Sequence, residues 1–271
     1  MLQRVLPFSF LAVVAALLLA PAANAAAREP ITPPLAKAAA DARTPAGEDP
    51  DTTQPLQIAP PSKAAGATVA RIVAPSFARA RLDTPHRGRP VGTATAWSQQ
   101  SQILLVLDAA TRNGVDWVKV LLAQRPDGST GWIPRDNVTL GFTPYWIDVG
   151  LRSRTVTVFR NGRGTLRTRA VVGRPATPTP RGLAAIYERN RQPDPRAFLG
   201  PWALALTSLS NVLESYGGGP GRVAIHGRAG ASFADPIGSA RSHGCIRIDN
   251  RPVTWMATHI PAGTPVEVTN T

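Results

Sequence analysis

Only one cysteine, Cys245, occurs among the 271 residues of this sequence. A single thiol cannot close an intramolecular bridge, so a disulfide-bonded scaffold is excluded. Three interpretations of Cys245 remain open: a buried apolar side chain, an intermolecular bridge, and a reactive thiol.

Long apolar runs are also scarce, because only the N-terminal region carries one. Residues 1–25, "MLQRVLPFSFLAVVAALLLAPAANA", combine Arg4, an apolar run and an Ala-Asn-Ala cleavage pattern, which together predict a secretory signal peptide. A membrane anchor is the alternative, but the run is short for a span and Pro21 interrupts it. Since no second apolar stretch approaches about 20 residues, we expect an exported protein, in the periplasm or cell wall, whose mature form has no membrane span.

Lysine is absent from residues 144–271, where 16 arginines and 7 acidic residues are scattered singly. The formal charge of the whole chain is +13. A nucleic-acid partner fits poorly with export and with the lack of a clustered basic run. Two interpretations remain open: attraction to anionic polymers of the cell envelope, and a solvated basic surface without a partner.

Bulky apolar side chains are sparse in residues 26–67, where alanine and proline predominate. Such a segment buries too little apolar surface to offset the entropy of ordering its chain. We therefore predict a disordered linker over residues 26–67.

From residue 68 the pattern changes to short β-type runs separated by turn signals such as Asn113-Gly114. These runs predict a small β-barrel over residues 68–141. Trp117 and Trp132 are interpreted as core residues of this barrel, with a ligand-binding surface as the alternative. The stretch "DWVKVLLAQRPDGSTGWIPRDNV" resembles the Src-homology-3-like domains of bacterial envelope proteins.

Residues 144–271 again alternate apolar and polar residues, with a hairpin signal at Asn161-Gly162. The stretch "RPVTWMATHI" is the one clear helix signal in this region. The chain as a whole is therefore expected to be mainly β, with one or two short helices.

The surroundings of Cys245 follow from treating "SHGCIRID" as a regular strand, in which successive side chains point to opposite faces. Ile246 and Ile248 then share the face that packs on the core, and His243, Cys245 and Arg247 share the other. A structural cysteine would lie in phase with the isoleucines, so the pattern favours a reactive thiol. A bulge at the glycine of this motif would shift the phase.

A second His-Gly pair, His226-Gly227, occurs upstream in "RVAIHGRAG". Cys245 follows nineteen positions after His226, which is enough for a loop that brings the two strands alongside each other. A thiol needs a neighbouring base or positive charge to form thiolate near neutral pH, because such a neighbour lowers its pKa from about 8.5 to roughly 3.5–7.5.

His226, fifteen intervening residues and then Ser242-His243-Gly244-Cys245 resemble the signature of L,D-transpeptidase catalytic domains, the YkuD family. The resemblance extends over residues 144–271 and implies a β-sandwich catalytic domain that follows the small barrel. The chain departs from the family at Thr179-Pro180-Arg181-Gly182-Leu183-Ala184, where the family often has Thr-Pro-Thr-Gly and two aromatic residues.

The resemblance also implies the roles of the motif residues. Cys245 is the implied nucleophile, and His226 is the implied general base and later acid. The backbone carbonyl of Gly227 is expected to orient the imidazole of His226. His243 and Gly244, with the Cys245 amide, are expected to form the oxyanion region, where donors stabilise the developing negative charge.

Ser242 and Arg247 are assigned to substrate binding by the same resemblance. For Arg247, support of the site or attraction of a substrate carboxylate stands beside an equal alternative, a salt bridge to Asp249 or another acid. His86 and His259 lie outside the motif and are interpreted as surface or packing residues.

The implied reaction is a two-step acyl transfer on peptidoglycan stem peptides, without a metal or organic cofactor. The thiolate attacks the carbonyl at the L-centre of a diamino acid in a tetrapeptide stem, releases the terminal D-alanine and leaves a thioester. The amine of a second stem resolves the thioester and forms a 3→3 cross-link. Water as the acceptor gives an L,D-carboxypeptidase, and a protein amine gives attachment of that protein to peptidoglycan. The sequence assigns no oligomeric state.

Three alternatives remain. A zinc site could use His226, His243 and Cys245, although no H-E-x-x-H or paired C-x-x-C spacing accompanies them. An NlpC-type cysteine hydrolase is the second, but in that family the cysteine precedes its histidine, whereas here His226 comes first. The third is a non-catalytic wall-binding protein, against which the intact set of motif residues argues.

Overall fold

Strands dominate the computed structural model, which describes residues 55–83, 88–215 and 219–271 and confirms the mainly β fold class. The predicted signal peptide, most of the predicted linker and His86 lie outside the described residues. The strands are β1 (Ala67–Ile72), β2 (Ser76–Ala78), β3 (Arg89–Val91), β4 (Ile103–Arg112), β5 (Val115–Leu121), β6 (Thr130–Pro134), β7 (Val138–Thr143), β8 (Tyr145–Gly150), β9 (Thr155–Arg160), β10 (Arg163–Arg169), β11 (Val172–Gly173), β12 (Gly182–Arg191), β13 (Trp202–Leu209), β14 (Arg222–His226), β15 (Ala240–Ser242), β16 (Ile246–Arg247) and β17 (Pro265–Thr269). The described α-helix is α1 (Asn250–His259), and 3₁₀ turns occupy Arg135–Asn137 and Gly230–Ala234.

The first domain, residues 67–143, is built on a five-stranded antiparallel sheet in the order β6-β5-β4-β1-β7. Its β4–β5 hairpin turns at Asn113-Gly114 as predicted, and both residues have positive φ, +52° and +73°. Two-residue hairpin loops favour this conformation, which asparagine and glycine tolerate best. Trp117 is buried as expected, whereas Trp132 is half-buried. The likeness to Src-homology-3-like domains stays a prediction.

Residues 55–66, which the sequence places in the linker, lie against the folded domains. Leu56 and Ile58 pack on the core of the first domain. The Lys63 ammonium forms an ion pair with Asp148 of β8 and lies 4.9 Å from the centroid of the Phe159 ring. The last part of the Ala/Pro-rich segment is therefore ordered, because its few bulky apolar residues find partners outside the segment.

The second domain, residues 144–271, contains an eight-stranded sheet in the order β10-β9-β8-β17-β12-β13-β14-β16. Strand β12 belongs to both halves of this sheet. Its residues 182–185 pair with β17, and its residues 186–191 pair with β13, with a register shift between Ile186 and Glu188. The two halves enclose one core, since Ile147 of β8 and Ile225 of β14 are fully buried in the same cluster.

Helix α1 covers this core at the predicted position. Val253, Met256 and Ala257, at the i, i+3 and i+4 spacing of a helix face, are its buried residues. Pro252 lies in the first turn, where the missing N–H of proline is tolerated. His259, at the end of the helix, is exposed and stacks on Trp255 with 4.8 Å between the ring centroids, which agrees with its interpretation as a surface residue.

Arginine side chains connect the two domains. Arg125 of the first domain donates to the backbone carbonyls of Ser210 (2.8 Å), Leu213 and Pro220. In the opposite direction, Arg222 of β14 donates to the carbonyl of Ala123 at 3.1 Å. The first domain is thus attached to the β13–β14 side of the second domain.

Replacement of Ile147 by alanine tests the shared core. Because Ile147 is fully buried in the middle of the sheet, we expect Ile147→Ala to lower the free energy of unfolding by about 2–5 kcal/mol, measured by urea denaturation. Val73 is 45% exposed, and Val73→Ala should change the free energy of unfolding by less than about 0.5 kcal/mol. Equal effects of the two substitutions would contradict the assignment of the core.

Candidate active site

The predicted neighbourhood of His226 and Cys245 is created by parallel pairing of β14 with β16. Ile225 pairs with Ile246 and His226 with Arg247, and the Ile248 amide donates to the His226 carbonyl at 2.9 Å. The connection between the two strands therefore brings them side by side, as expected. In this register Cys245 lies opposite Ala224, on the strand that ends in His226.

The motif "SHGCIRID" is not one regular strand, and that assumption is wrong. Strand β15 ends at Ser242 and β16 begins at Ile246, with Gly244 between them at a φ of +114°. This left-handed conformation suits glycine, which has no Cβ, and it breaks the strand. The two predicted core isoleucines, Ile246 and Ile248, are nevertheless fully buried.

Cys245 is half-buried between these segments. Burial raises the pKa of its thiol, and a hydrogen bond from the Ala224 backbone and the positive charge of Arg247 offset this only in part. Desolvation therefore outweighs the nearby charge in its effect on the pKa of this thiol. Cys245 rests as a neutral thiol.

His226 is buried, with 1% of its surface exposed. Its Nδ1 donates to the Gly227 carbonyl at 2.7 Å, the contact that the sequence predicts, and Nε2 of the neutral ring then carries the lone pair. Burial lowers the pKa of His226 to about 4, and the charge of Arg247 lowers it further, while hydrogen bonds with the Gly227 and Leu199 backbone act in the opposite direction. At neutral pH the ring is uncharged and able to accept a proton.

Ser242 and Gly244 form hydrogen bonds within the loop of residues 242–245, which we call the motif loop. The Ser242 hydroxyl is fully buried, donates to the Cys245 carbonyl at 2.5 Å and accepts from the Gly244 amide at 3.1 Å. The Ser242 hydroxyl is therefore engaged within the loop, and its role in substrate binding stays a prediction. The Gly244 amide is thus bonded to Ser242. The side chain of His243, between these two residues, is half-buried.

Two threonines of the segment between β11 and β12, Thr177 and Thr179, form hydrogen bonds with the motif loop. The Thr179 hydroxyl donates to the Gly244 carbonyl at 2.8 Å, and the Thr177 hydroxyl donates to the Ser242 carbonyl at 3.3 Å. The side chains of both threonines are buried with these bonds. The sequence showed this stretch only as a departure from a family pattern, and the bracing function was missed.

Arg247 is buried and forms an ion pair with Asp235, not with Asp249. Its guanidinium carbon lies 4.8 Å from the centroid of the Phe198 ring, and the same ring lies 6.1 Å from the centroid of the His226 imidazole. Of the two possibilities left open, the salt bridge is the one observed. Asp235 was not foreseen as the partner, because it belongs to a loop to which the sequence assigns no contacts.

Asn250, the first residue of α1, holds the backbone of Arg228, two residues after His226, through two hydrogen bonds. Its amide accepts from the Arg228 N–H at 2.7 Å and donates to the Arg228 carbonyl at 2.9 Å. A Cβ on Gly227 would come within 2.4 Å of the Asn250 Oδ1, so glycine is required there. Sequence reasoning missed Asn250, because an asparagine at a helix start reads as an ordinary helix signal.

Among residues 55–83, 88–215 and 219–271, no group of three His, Cys, Asp or Glu side chains is placed to hold a metal ion. His226, His243 and Cys245, the proposed ligands of the zinc alternative, all lie within these ranges. Their geometry gives that alternative no support. Within the same described residues, no helix has the length and apolar character needed to cross a membrane.

Comparison with known proteins identifies relatives of the second domain. Residues 144–268 match the family model described as the L,D-transpeptidase catalytic domain, YkuD. The YkuD protein of Bacillus licheniformis is 37% identical over 126 residues, and that of Bacillus subtilis is 34% identical over 125 residues. Each match covers 46% of this chain and 66% of the relative, so the chain spans just under two thirds of the length of these curated proteins.

A solved structure of an Enterococcus faecium L,D-transpeptidase mutant is also similar. It is 22% identical, and the match covers 46% of this chain and 50% of that chain with a TM-score of 0.35.

The resting protonation states can be tested through the pH dependence of Cys245 alkylation. Only the thiolate reacts, and burial raises the pKa of this thiol, so the rate with iodoacetamide should keep rising above pH of about 8.5, the ordinary pKa of cysteine. The urea-unfolded chain, in which the pKa returns to its ordinary value, is the control. A rate that is already constant below pH 7 would show a thiolate–imidazolium pair instead.

The hold of Asn250 on the backbone beside His226 can be tested by Gly227→Ala. Since the added Cβ would collide with Asn250, we expect the free energy of unfolding to fall by about 1–3 kcal/mol and the His226 ring signals to shift in NMR spectra. Gly164→Ala is the matched control, because a Cβ at Gly164 meets only a Phe159 ring carbon at 3.9 Å. Unchanged stability and unchanged His226 signals in Gly227→Ala would count against a tight fit of Asn250 against Gly227.

Proposed function

We propose that residues 144–268, which match the family model of the L,D-transpeptidase catalytic domain, belong to that family, and that the protein cross-links peptidoglycan stem peptides by cysteine acyl transfer. One observation supports this proposal above the others. A neutral imidazole, held through Nδ1 by the Gly227 carbonyl, lies on the strand directly beside the one preceded by the only thiol.

The first step is acylation of Cys245 by a donor tetrapeptide stem. Sγ attacks the carbonyl carbon of the diamino acid, and Nε2 of His226 accepts the thiol proton as the new S–C bond forms. When the tetrahedral intermediate collapses, the C–N bond to D-alanine breaks and His226 returns the proton to the leaving amine. The products are a thioester on Cys245 and free D-alanine.

The second step transfers the acyl group to an acceptor stem. The side-chain amine of the acceptor attacks the thioester carbonyl, and neutral His226 takes a proton from the attacking nitrogen. The S–C bond breaks, the proton returns to Sγ, and a 3→3 amide cross-link is released. The same residues thus serve both steps, with no change in the net charge of the site over the cycle.

Burial explains why this mechanism uses a neutral pair. Desolvation raises the pKa of Cys245 and lowers the pKa of His226, so each group rests in its uncharged form. Charge therefore develops only during attack, when the proton moves from sulfur to nitrogen. A general base with a lone pair ready at neutral pH is the form of His226 that this step needs.

Residues outside the signature motif support the thiol in this proposal. Thr177 and Thr179 hold the loop that carries Cys245, and Arg247 holds the neighbouring loop through Asp235. We place the reaction outside the cytoplasmic membrane, in the periplasm or cell wall, because of the signal pattern in residues 1–25.

Incubation with tetrapeptide-stem muropeptides, followed by mass spectrometry, tests the proposal. The native protein should release D-alanine and form a cross-linked dimer, whereas Cys245→Ala should form none. His226→Gln should lower the rate by about 10²–10⁴-fold, the usual contribution of a general base. His259→Gln is the matched control, because His259 is exposed at the end of α1.

The products distinguish the possible acceptors. A trimmed tripeptide without dimer would identify water as the acceptor and the enzyme as an L,D-carboxypeptidase. Dimer formation by Cys245→Ala would rule out the thioester mechanism. Native protein that leaves every stem unchanged would favour a non-catalytic wall-binding role.

A further inference from the structure

A cavity of about 240 Å³ lies where a loop of the first domain meets the sheet of the second. The loop supplies Ala96 and Trp97, and the sheet supplies Tyr187, Glu188, Ala205 and Arg222. Neither the sequence motif nor the proposed reaction uses this cavity.

Strand register places this cavity on the same face of the sheet as the thiol. Glu188 pairs with Ala205, Ala205 pairs with Ala224, and extension of the β14–β16 register by one residue brings Ala224 beside Cys245. Neighbouring strands are about 4.8 Å apart, so Ala205 lies roughly 10 Å and Glu188 roughly 14 Å from Cys245 along this row. The cavity is therefore close to the thiol but separate from it.

The loop that carries Trp97 is fastened to the sheet by its backbone. Glu188 Oε1 accepts from the amides of Trp97 (3.3 Å) and Ser98 (3.2 Å), and the Tyr187 hydroxyl accepts from the Ala96 amide at 3.2 Å. Gln100 adds a bond from Nε2 to the Arg189 carbonyl at 3.0 Å. The backbone is fixed by these bonds.

The Trp97 side chain, in contrast, is 67% exposed, the most exposed of the large apolar side chains in the described residues. A ligand in the cavity would cover this indole, and burial of aromatic surface is favourable.

The charges of the cavity wall cancel. Glu188 is buried and saturated by backbone amides and the Asn190 side chain. Arg222 donates to the Leu206 carbonyl at 2.9 Å, and its guanidinium carbon lies 4.6 Å from the centroid of the Tyr187 ring. The negative charge of Glu188 and the positive charge of Arg222 balance each other, and both groups already have partners within the protein. The wall of the cavity therefore has no net charge that would attract an ionic ligand. The cavity suits an uncharged group with one apolar face and polar edges.

We propose that this cavity binds a sugar ring of the glycan strand to which the donor stem is attached, with the ring stacked on the Trp97 indole. This inference rests on the proposed function, because it takes a peptidoglycan stem as the substrate. An N-acetylated sugar is neutral and presents C–H groups on its face and hydroxyls at its edge. Stem peptides carry carboxylates and an amine, which a neutral wall does not attract.

The length of the stem agrees with this placement. The attacked carbonyl belongs to the third residue of the stem, and the sugar is joined to the N terminus of the first residue. Three extended residues span about 10 Å, since each contributes roughly 3.3–3.6 Å. A donor stem laid along the row from Cys245 through Ala224 to Ala205 would therefore place its sugar at the cavity.

Sugar binding can be measured without any chemistry in the full chain carrying Cys245→Ala. The probe is the neutral disaccharide of N-acetylglucosamine, titrated while the indole N–H signals are followed by NMR. We expect binding that perturbs the Trp97 signal and that weakens about tenfold or more when Trp97→Ala is added, the size of loss typical of an aromatic anchor. Phe142→Ala is the matched control, since Phe142 is 61% exposed and does not line the cavity.

A kinetic comparison in the native chain completes the test. With the disaccharide-tetrapeptide and the free tetrapeptide as donors, kcat/KM should be higher for the first, and Trp97→Ala should reduce that preference about tenfold. An equal loss for both donors would show that the cavity holds peptide, and it would overturn the sugar assignment. Absence of disaccharide binding would overturn it as well.

Failure of the proposed function gives a different result. If no stem reacts in the native chain but the disaccharide still binds through Trp97, the acyl-transfer proposal fails while the sugar site is supported. If stems react and Trp97→Ala leaves both the preference and the disaccharide affinity unchanged, the sugar site fails alone.

Discussion

The parallel pairing of β14 with β16 is the constraint on which the rest of the site depends. Parallel neighbours must be joined by a crossover, and here the connection between His226 and Cys245 performs that role. The pairing places the histidine and the thiol on one face of the sheet, and it directs Ile225 and Ile246 into the core on the other face. Core packing therefore holds the two chemical groups in register.

The burial that accompanies this pairing also shifts the pKa values of Cys245 and His226. Side chains next to a packed core lose water, and desolvation disfavours the charged form of both the thiol and the imidazole. Arg247 moderates this effect for Cys245 and strengthens it for His226, because one positive charge favours the thiolate and disfavours the imidazolium. A neutral donor–acceptor pair is the consequence.

Local signals in the sequence predicted local structure well. Asn113-Gly114 and Asn161-Gly162 adopt positive φ in two-residue turns, and the apolar spacing of "RPVTWMATHI" gives helix α1. The position of His226 beside the Cys245 motif was also predictable, because the spacing of the two motifs leaves room for a crossover. Each of these features depends on residues that are near one another in the sequence or on a short motif.

Features that depend on distant partners were not predictable. The break at Gly244, the use of the Ser242 hydroxyl within the loop and the Arg247–Asp235 ion pair all follow from how separate segments pack. The raised pKa of Cys245 has the same origin, since its burial comes from segments that the motif does not contain. A pattern of residue types predicted that His226 and the Cys245 motif lie side by side, but not the direction in which burial shifts their pKa values.

The attachment of the first domain has a further physical consequence for the second. Glu188 and Tyr187 of β12 hold the Trp97 loop over the face of the sheet that also carries Cys245. The first domain therefore lies at the β12 end of the row of residues that leads from Cys245 across β14 and β13. A ligand that extends from Cys245 across β14 and β13 would therefore meet the cavity that Trp97 lines.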